Sequence, residues 1–458
     1  MSYVVSIDRP DTVLYPRFKV YTQRQIEQIL PFRKLPETLQ FETKVVSNIL
    51  PFRVNQYVID ELINWDNPEN DPLFTLTFPQ RGMIPPAAFD QMAALIAKNP
   101  GHAEIEQLAK QLRKGLNPHP SGQMELNIPE LGHHKLAGMQ HKYRETLLFF
   151  PIQGQVCHSY CTFCFRWAQF VGDKSLRFAS NEVEILYNYL SRHREITDLL
   201  ITGGDPMVMK TRHLVHYLNR ITETGFDHVQ NLRFGTKALT YWPQRFISDA
   251  DADDLLRIFE KLIEAGKHVS IMAHINHWRE LDPVMTQRAI LRIKNTGAEI
   301  RAQGPLLAKI NDDPVVWTKM WHEQVKLGII PYYMFVERDT GAQRFFEVPL
   351  VNAWQIYRDA IKNVSGLART VRGPSMSSGP GKIEIQGITE INGQKLFVLR
   401  FIQGRNENWV QRPFFAEYDP EATWLTDLQP AFNQGKFFFE DEYLQILTEN
   451  NALNLIPN

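Results

Sequence analysis

Residues 146–166 read TLLFFPIQGQVCHSYCTFCFR. An apolar run, Leu147–Ile152, leads into a loop that carries Cys157, Cys161 and Cys164 in the spacing C-x3-C-x2-C. The run has the length of a buried strand. The three cysteines are the only ones among 458 residues, so a disulfide scaffold is excluded. Three thiols this close in sequence can reach three corners of an iron–sulfur cube. A ferredoxin-type site needs a fourth cysteine, and a closed zinc site prefers four ligands. A [4Fe–4S] cluster held here leaves one iron open to another ligand. From the residues alone two other readings stay open: buried core thiols, or a zinc knuckle completed by His158.

Downstream of the loop the text alternates between strand and helix. Val183, Leu186, Tyr187 and Leu190 fall at helical spacing. Asp198–Thr202 is a short strand ending in Gly203-Gly204-Asp205-Pro206, and Asn231–Thr236 is the next. Leu255, Ile258, Phe259 and Leu262 mark a helix opened by Ser248 with Asp251 and closed by Gly266. His268–His274 reads as a strand, and Asp282-Pro283 opens a helix that Gly297 closes. Glu299–Leu307 is a strand, Asp313-Pro314 opens a helix closed at Gly328, and Ile329–Val336 is the sixth strand. Six alternations predict an α/β fold of parallel strands with crossover helices. Ligands of such sheets gather at the carboxyl ends of the strands. The cysteine loop, Gly203-Gly204-Asp205 and His274 all fall there. This core spans residues 136–370. Residues 1–135 form a mainly helical region with many breakers, such as GHAEIEQLAKQLRKGL before the loop NPHPSGQ. Residues 371–458 form a small C-terminal segment rich in Phe and Trp.

Lys and Arg (50) nearly cancel Asp and Glu (51), for a formal net charge of -1. Nothing in that balance favours nucleic acid or an anionic membrane. No apolar run is long enough to span a bilayer. The start, MSYVVSIDRPD, lacks the pattern of a signal peptide. A cytoplasmic enzyme is expected.

The cysteine spacing, with Phe163 before the last thiol, resembles the radical S-adenosylmethionine (SAM) superfamily, and the chain more closely resembles the lysine 2,3-aminomutase family within it. The match rests on segments in order: VIDELINWDNPENDP, HKYRET (His141–Thr146), TGGDP, RFGTKALTYWPQRF (Arg233–Phe246), MAHINH (Met272–His277), Gln303, Asn311-Asp312, PYY (Pro331–Tyr333) and SGPGK ending in Lys382. The resemblance implies a radical-SAM partial (β/α)6 barrel and a cluster on Cys157, Cys161 and Cys164, with SAM on the open iron. It implies SAM contacts from Gly203, Gly204, Asp205, His274, Gln303 and Asn311. It implies that pyridoxal 5′-phosphate (PLP) is held on Lys382, with its phosphate on Lys142 and Tyr143. Lys142 stands where the family has an arginine. The family's second phosphate arginine falls near Thr146, and Arg144 is expected to compensate. Arg166 matches the arginine that grips the substrate carboxylate, as bidentate geometry allows.

Lysine-specific members hold the substrate ammonium with two aspartates. Here those positions fall on Arg338 (or, with a one-residue slip, Asp339) and on Ser375, seven residues before Lys382. An ammonium beside Arg338 meets like charge, a penalty of several kcal/mol at roughly 4 Å. Glutamate-specific members carry a basic and an amide residue there. The expected activity is therefore a 2,3-aminomutase, an isomerase that moves the α-amino group to the β-carbon of an amino acid that is not lysine, glutamate first. The alternatives are a PLP-free radical-SAM relative, a lysine 2,3-aminomutase, or a relative that modifies a protein lysine. A non-catalytic iron–sulfur carrier is the reading from a different class. The expected partners are an amino-acid substrate and an external electron donor such as flavodoxin or ferredoxin. A homo-oligomer is expected, without the zinc that relatives bind through extra C-terminal cysteines.

Overall fold

The computed structural model describes residues 18–116, 127–132, 134–171 and 178–452; the amino-terminal stretch and the NPHPSGQ loop lie outside them. Its largest element is one eleven-stranded sheet. Two small antiparallel pairs precede it: β1 (Val20–Thr22) with β2 (Arg53–Asn55), and β3 (Glu130–Leu131) with β4 (His134–Lys135). The sheet begins with β5 (Met139–Tyr143), which pairs antiparallel with β6 (Thr146–Phe149). From β6 the strands run parallel and in sequence order through β7 (Asp198–Ile201), β8 (Asn231–Thr236), β9 (His268–His274), β10 (Glu299–Leu306), β11 (Ile330–Val336) and β12 (Arg372–Ser377). Three antiparallel strands extend the same sheet: β13 (Gly381–Ile391), β14 (Gln394–Gly404) and β15 (Pro413–Glu417).

The six parallel strands expected from the sequence are present, and β12 makes a seventh. Central β9 is buried on both faces apart from its two end residues, as parallel sheets covered by helices require. The crossover helices are Val183–Arg192, Thr211–Leu218, Ala252–Glu264, Val284–Asn295, Pro314–Lys326 and Leu350–Lys362. Gly266, Gly297 and Gly328 end three of them with φ of 80°, 87° and 73°, the left-handed stop that favours glycine. Asp313 caps the fifth by accepting from the Val315 amide at 2.8 Å. The cap expected from Ser248 and Asp251 does not form. The Asp251 carboxylate instead accepts from the Thr211 amide at 2.7 Å and from Arg245 at 2.8 Å, tying two crossover helices together.

The sheet is rolled. Lys142 on β5 donates to the carbonyl of Ser378, just past β12, at 2.6 Å. In a flat sheet seven strand spacings, about 34 Å, separate β5 from β12. A direct hydrogen bond across that span requires the two ends to curl toward each other. The amino-terminal region packs over the strand ends. Its aromatic core, with Phe74 and Phe78 stacked at 4.7 Å, also takes in Phe163 and Trp167 of the cysteine loop. Each such ring contributes about 1.5–3 kcal/mol by leaving water. A separate core of Phe397, Phe401, Trp409, Phe414 and Phe439 fills the C-terminal strands. Among the described residues no helix is long and apolar enough to cross a membrane.

Candidate functional site

Each carboxyl-terminal strand end from β6 to β12 delivers residues to one rim. The cysteine loop leaves β6, and two neighbours hold it in shape. Arg53 donates to the Cys157 carbonyl at 3.1 Å, and Thr162 bonds the carbonyls of Thr75 and Leu76 from its hydroxyl and amide at 2.7 and 3.0 Å. Burial raises all three thiols, Cys161 to about 12 and Cys164 to about 11; neighbouring thiolates add to the rise at Cys157 and Cys161, while at Cys164 Arg166 opposes it and Glu337 adds to it. They stay protonated until cations arrive. Among the described residues no three His, Cys, Asp or Glu groups converge on a single metal ion. His158 has both ring nitrogens turned to protein, Nε2 to Asp205 at 3.1 Å and Nδ1 to Asn55 at 3.5 Å. With His158 turned to Asp205 and Asn55, a zinc knuckle completed by that ring lacks its fourth ligand, and three thiols of one loop remain, a donor set of the type that iron–sulfur clusters take.

The Gly203-Gly204 turn after β7 lies directly beneath this loop. A Cβ on Gly203 would stand 2.6 Å from the Gly154 carbonyl, and one on Gly204 would stand 2.6 Å from the backbone of Val156. The close approach that these glycines permit is to the chain's own backbone. The Asp205 carboxylate is a hub. It accepts from the Met207 amide, the Thr236 hydroxyl, the Lys237 amide and His158, all within 3.1 Å. It joins the cysteine loop to the ends of β7 and β8, and its acceptor capacity is spent there. Asn311 is engaged likewise: its amide donates to the carbonyls of Asn276 and Pro305 and accepts from the Leu307 amide at 2.7 Å. Both were expected as cofactor contacts, and both have their polar atoms engaged by the protein.

Beyond the hub the rim is less satisfied. Lys237 forms a buried ion pair with Glu280 at 2.8 Å and also bonds Asn276 Oδ1 at 2.9 Å. Its charge favours the Cys161 thiolate. Around Lys237 three buried polar atoms lack a protein partner: His274 Nε2, Asn276 Nδ2 and the Tyr241 hydroxyl. Burial and Lys237 hold His274 well below the usual imidazole range, so its ring is neutral. The ring lies 5.5 Å from that of Phe163 in the cysteine loop. Gln303 stands opposite His274 on the neighbouring strand. Unpaired buried donors and acceptors carry a cost unless a ligand meets them. They fit a polar group such as SAM beside the thiols. Lys237, Tyr241 and Asn276 lie within segments quoted from the sequence but carried no signal that singled them out.

Arg166 is buried, and its guanidinium donates to the Gly203 carbonyl, to Gln155 at 3.2 Å and to Gln169 at 2.7 Å. Burial lowers it to about 10. A substrate carboxylate gripped by Arg166 has to displace a neutral acceptor, an exchange that charge favours.

The opposite wall is cationic. Lys382, the second residue of β13, has its amine nitrogen 4.1 Å from the centre of the Tyr333 ring. Burial lowers it to about 7, with Arg233 and Arg372 adding repulsion. Lys142 lies well below the usual lysine range through burial, then through Arg405, Arg338 and Lys382. Tyr143 is held far above its usual value by burial. Arg338 sits 5.5 Å from the Phe165 ring centre, one residue past Cys164, and its Nε has no partner. Burial lowers it, while Asp339 and Glu337 oppose the shift. Ser375 is fully buried, its hydroxyl on the Met334 carbonyl at 3.5 Å. Arg144 does not compensate here: it is exposed and faces Glu145 at 3.6 Å and Glu407 at 4.0 Å. A buried amine among cations and aromatic rings fits an aldehyde cofactor that carries a phosphate.

The chain is 31% identical over 395 residues to a protein of Aquifex aeolicus assigned as an L-lysine 2,3-aminomutase, a match covering 86% of this chain and 92% of the relative. It is 25% identical over 290 residues to the L-lysine 2,3-aminomutase of Methanococcus maripaludis, covering 63% of this chain and 64% of that one. It is 26% identical over 226 residues to the glutamate 2,3-aminomutase of Clostridioides difficile, covering 49% and 50%. No family model matches the chain.

Proposed function

The chain belongs to the lysine 2,3-aminomutase family of radical-SAM enzymes, an isomerase by that membership, and we propose that it is a PLP-dependent aminomutase of an α-amino acid with an acidic or polar side chain, glutamate first. One observation carries the reading. Lys382 is a buried amine lowered to about 7, and Arg338 bears both on Lys142 and Tyr143 beside it and on the Phe165 end of the cysteine loop. A substrate that meets both cofactors has to lie near that guanidinium.

When bound, the cluster with SAM would supply hydrogen-atom abstraction chemistry, and PLP would supply an electron sink. Cys157, Cys161 and Cys164 hold the irons. His274, Tyr241 and Asn276 offer their unpaired atoms to SAM, with Gln303 alongside; Gly203 and Gly204 shape the turn, and Asp205 and Asn311 fix the loops around it. Lys382 presents a substantial neutral fraction near pH 7, ready to attack an aldehyde. Lys142 and Tyr143 face the phosphate. Arg166 takes the α-carboxylate, and Arg338 takes an anionic or acceptor-bearing side chain over the neutral floor at Ser375. The amino-terminal aromatic layer keeps water from the rim.

We further read the fold as the partial barrel of the superfamily, with divisions near 135 and 370. We read the enzyme as a cytoplasmic homo-oligomer reduced by a flavodoxin- or ferredoxin-like donor.

The test is anaerobic reconstitution with iron, sulfide and PLP, borohydride trapping, peptide mapping, and then a substrate screen. A trapped PLP on Lys382 and amino-group migration on glutamate support the reading. An iron–sulfur spectrum without a Lys382 adduct means the PLP-free alternative. Migration on lysine but not glutamate removes the substrate assignment.

A further inference from the structure

The phosphate cradle expected from the sequence is short of one cation. Thr146 replaces the second arginine, is buried in β6 and pairs with Tyr143. Arg144 turns to surface carboxylates. Yet the charge of Arg405 bears on Lys142 and on Tyr143, more than that of Arg338 does. Arg405 immediately follows β14, in the C-terminal segment.

Its position is fixed by the lysine-bearing turn. Arg405 Nε donates to the Gly379 carbonyl at 2.9 Å, and its backbone amide donates to the Pro380 carbonyl at 3.0 Å. A second guanidinium nitrogen reaches Asn127 at 2.5 Å. Tyr443 completes the frame: it hydrogen-bonds Arg405, and a Cβ on Gly379 would stand 2.3 Å from its hydroxyl. From the opposite end of the sheet, Lys142 holds the Ser378 carbonyl of the same turn. Two cations from strands distant in sheet order thus grip adjacent carbonyls just before Lys382.

We propose that Arg405 is the second phosphate-binding cation of the PLP site, taking over from the C-terminal segment the task that relatives give to an arginine near position 146. The inference rests on the PLP reading above. The chemistry recognised is a phosphate monoester on an aldehyde whose carbonyl reaches Lys382. Nε anchors the guanidinium to the turn, and a phosphate oxygen has only to displace the neutral side-chain carbonyl of Asn127 from a terminal nitrogen, an exchange that charge favours. An ammonium and a phenol beside it complete a site that prefers a dianion to a neutral hydroxyl.

The experiment titrates full-length protein with PLP and with pyridoxal, which lacks the phosphate, and reads affinity by absorbance and trapped adduct on Lys382 by mass spectrometry. Wild type is expected to prefer PLP strongly. Arg405→Gln is expected to weaken PLP about tenfold or more while leaving pyridoxal affinity unchanged, and Arg405→Lys is expected to fall between. An unchanged PLP-to-pyridoxal preference in Arg405→Gln overturns the proposal. Equal loss of both aldehydes does so too, because Arg405 is then only a clip for the turn. If wild type captures neither aldehyde at Lys382, the PLP reading fails and Arg405 loses its role with it.

Discussion

The ammonium of Lys142 and the carbonyl of Ser378 meet at 2.6 Å although 236 residues separate them. The bond joins the first strand of the large sheet to the turn that carries Lys382. It is made by a half-buried amine whose hold on its proton is weakened by burial and then by Arg405, Arg338 and Lys382. Replacing a charge in such surroundings relieves repulsion as it removes a hydrogen bond. For Lys142→Met we expect an apo melting temperature at or above wild type, together with PLP affinity reduced about tenfold or more. Calorimetry beside a PLP titration checks both. A large fall in the apo melting temperature means the strap outweighs the repulsion.

Lys382 sets a pH dependence whose sign follows from its lowered pKa. The unfolded chain keeps this lysine protonated up to the usual range near 10.5, whereas the folded protein releases the proton near 7. Between these values the unfolded state binds more protons, so this group makes stability rise with pH across the window. Below pH 7 its full penalty is present. Denaturant unfolding of apo protein from pH 6.5 to 10 is expected to show this rise, and Lys382→Met is expected to flatten it. PLP capture is expected to speed up with a midpoint near pH 7. A midpoint near 10 contradicts the buried position.

Gly204→Ala puts a methyl group against the Val156 backbone, which only a shift of the cysteine loop can relieve. The sheet beneath is untouched, so far-ultraviolet circular dichroism is expected to stay native. Iron and sulfide content after reconstitution is expected to drop below half of wild type, roughly. Full cluster loading in this variant means the loop yields more easily than its contacts suggest.

Lys237 and Glu280 form a pair that is almost wholly buried. Lys237→Met alone leaves a carboxylate without its counter-charge and is expected to cost about 3–5 kcal/mol. Combining it with Glu280→Gln removes the stranded charge, so the double variant is expected to be more stable than Lys237→Met. Urea unfolding of the four proteins gives the coupling energy. Additive losses mean the two charges do not depend on each other.

The parallel core was legible because its signals are local. Apolar runs, proline after aspartate and glycine at helix ends repeat at a regular spacing, and the strand limits at β8 and β9 coincide with those read from the sequence. The cysteine loop was legible for the same reason. Its support was not. Gly203-Gly204 reads as a turn made for a ligand, but the neighbour that requires glycine is the loop backbone, brought there by folding. Asp251 reads as a helix cap, but Thr211 and Arg245 compete for its carboxylate. Arg405 gave no signal at all: it sits in QGRN, an unremarkable turn, and matters only because the sheet curls until its ends meet.

The Asp205 carboxylate, shared by His158, Thr236, Met207 and Lys237, has one more consequence. In small zinc domains the metal organises the peptide, and removing it unfolds the chain. Here the shape of the thiol loop is shared out among polypeptide partners, with Asp205 tying it to the ends of β7 and β8. Under the iron–sulfur reading proposed above, loss of the irons to oxygen and unfolding of the chain would be separable events, and the same chain could be reloaded.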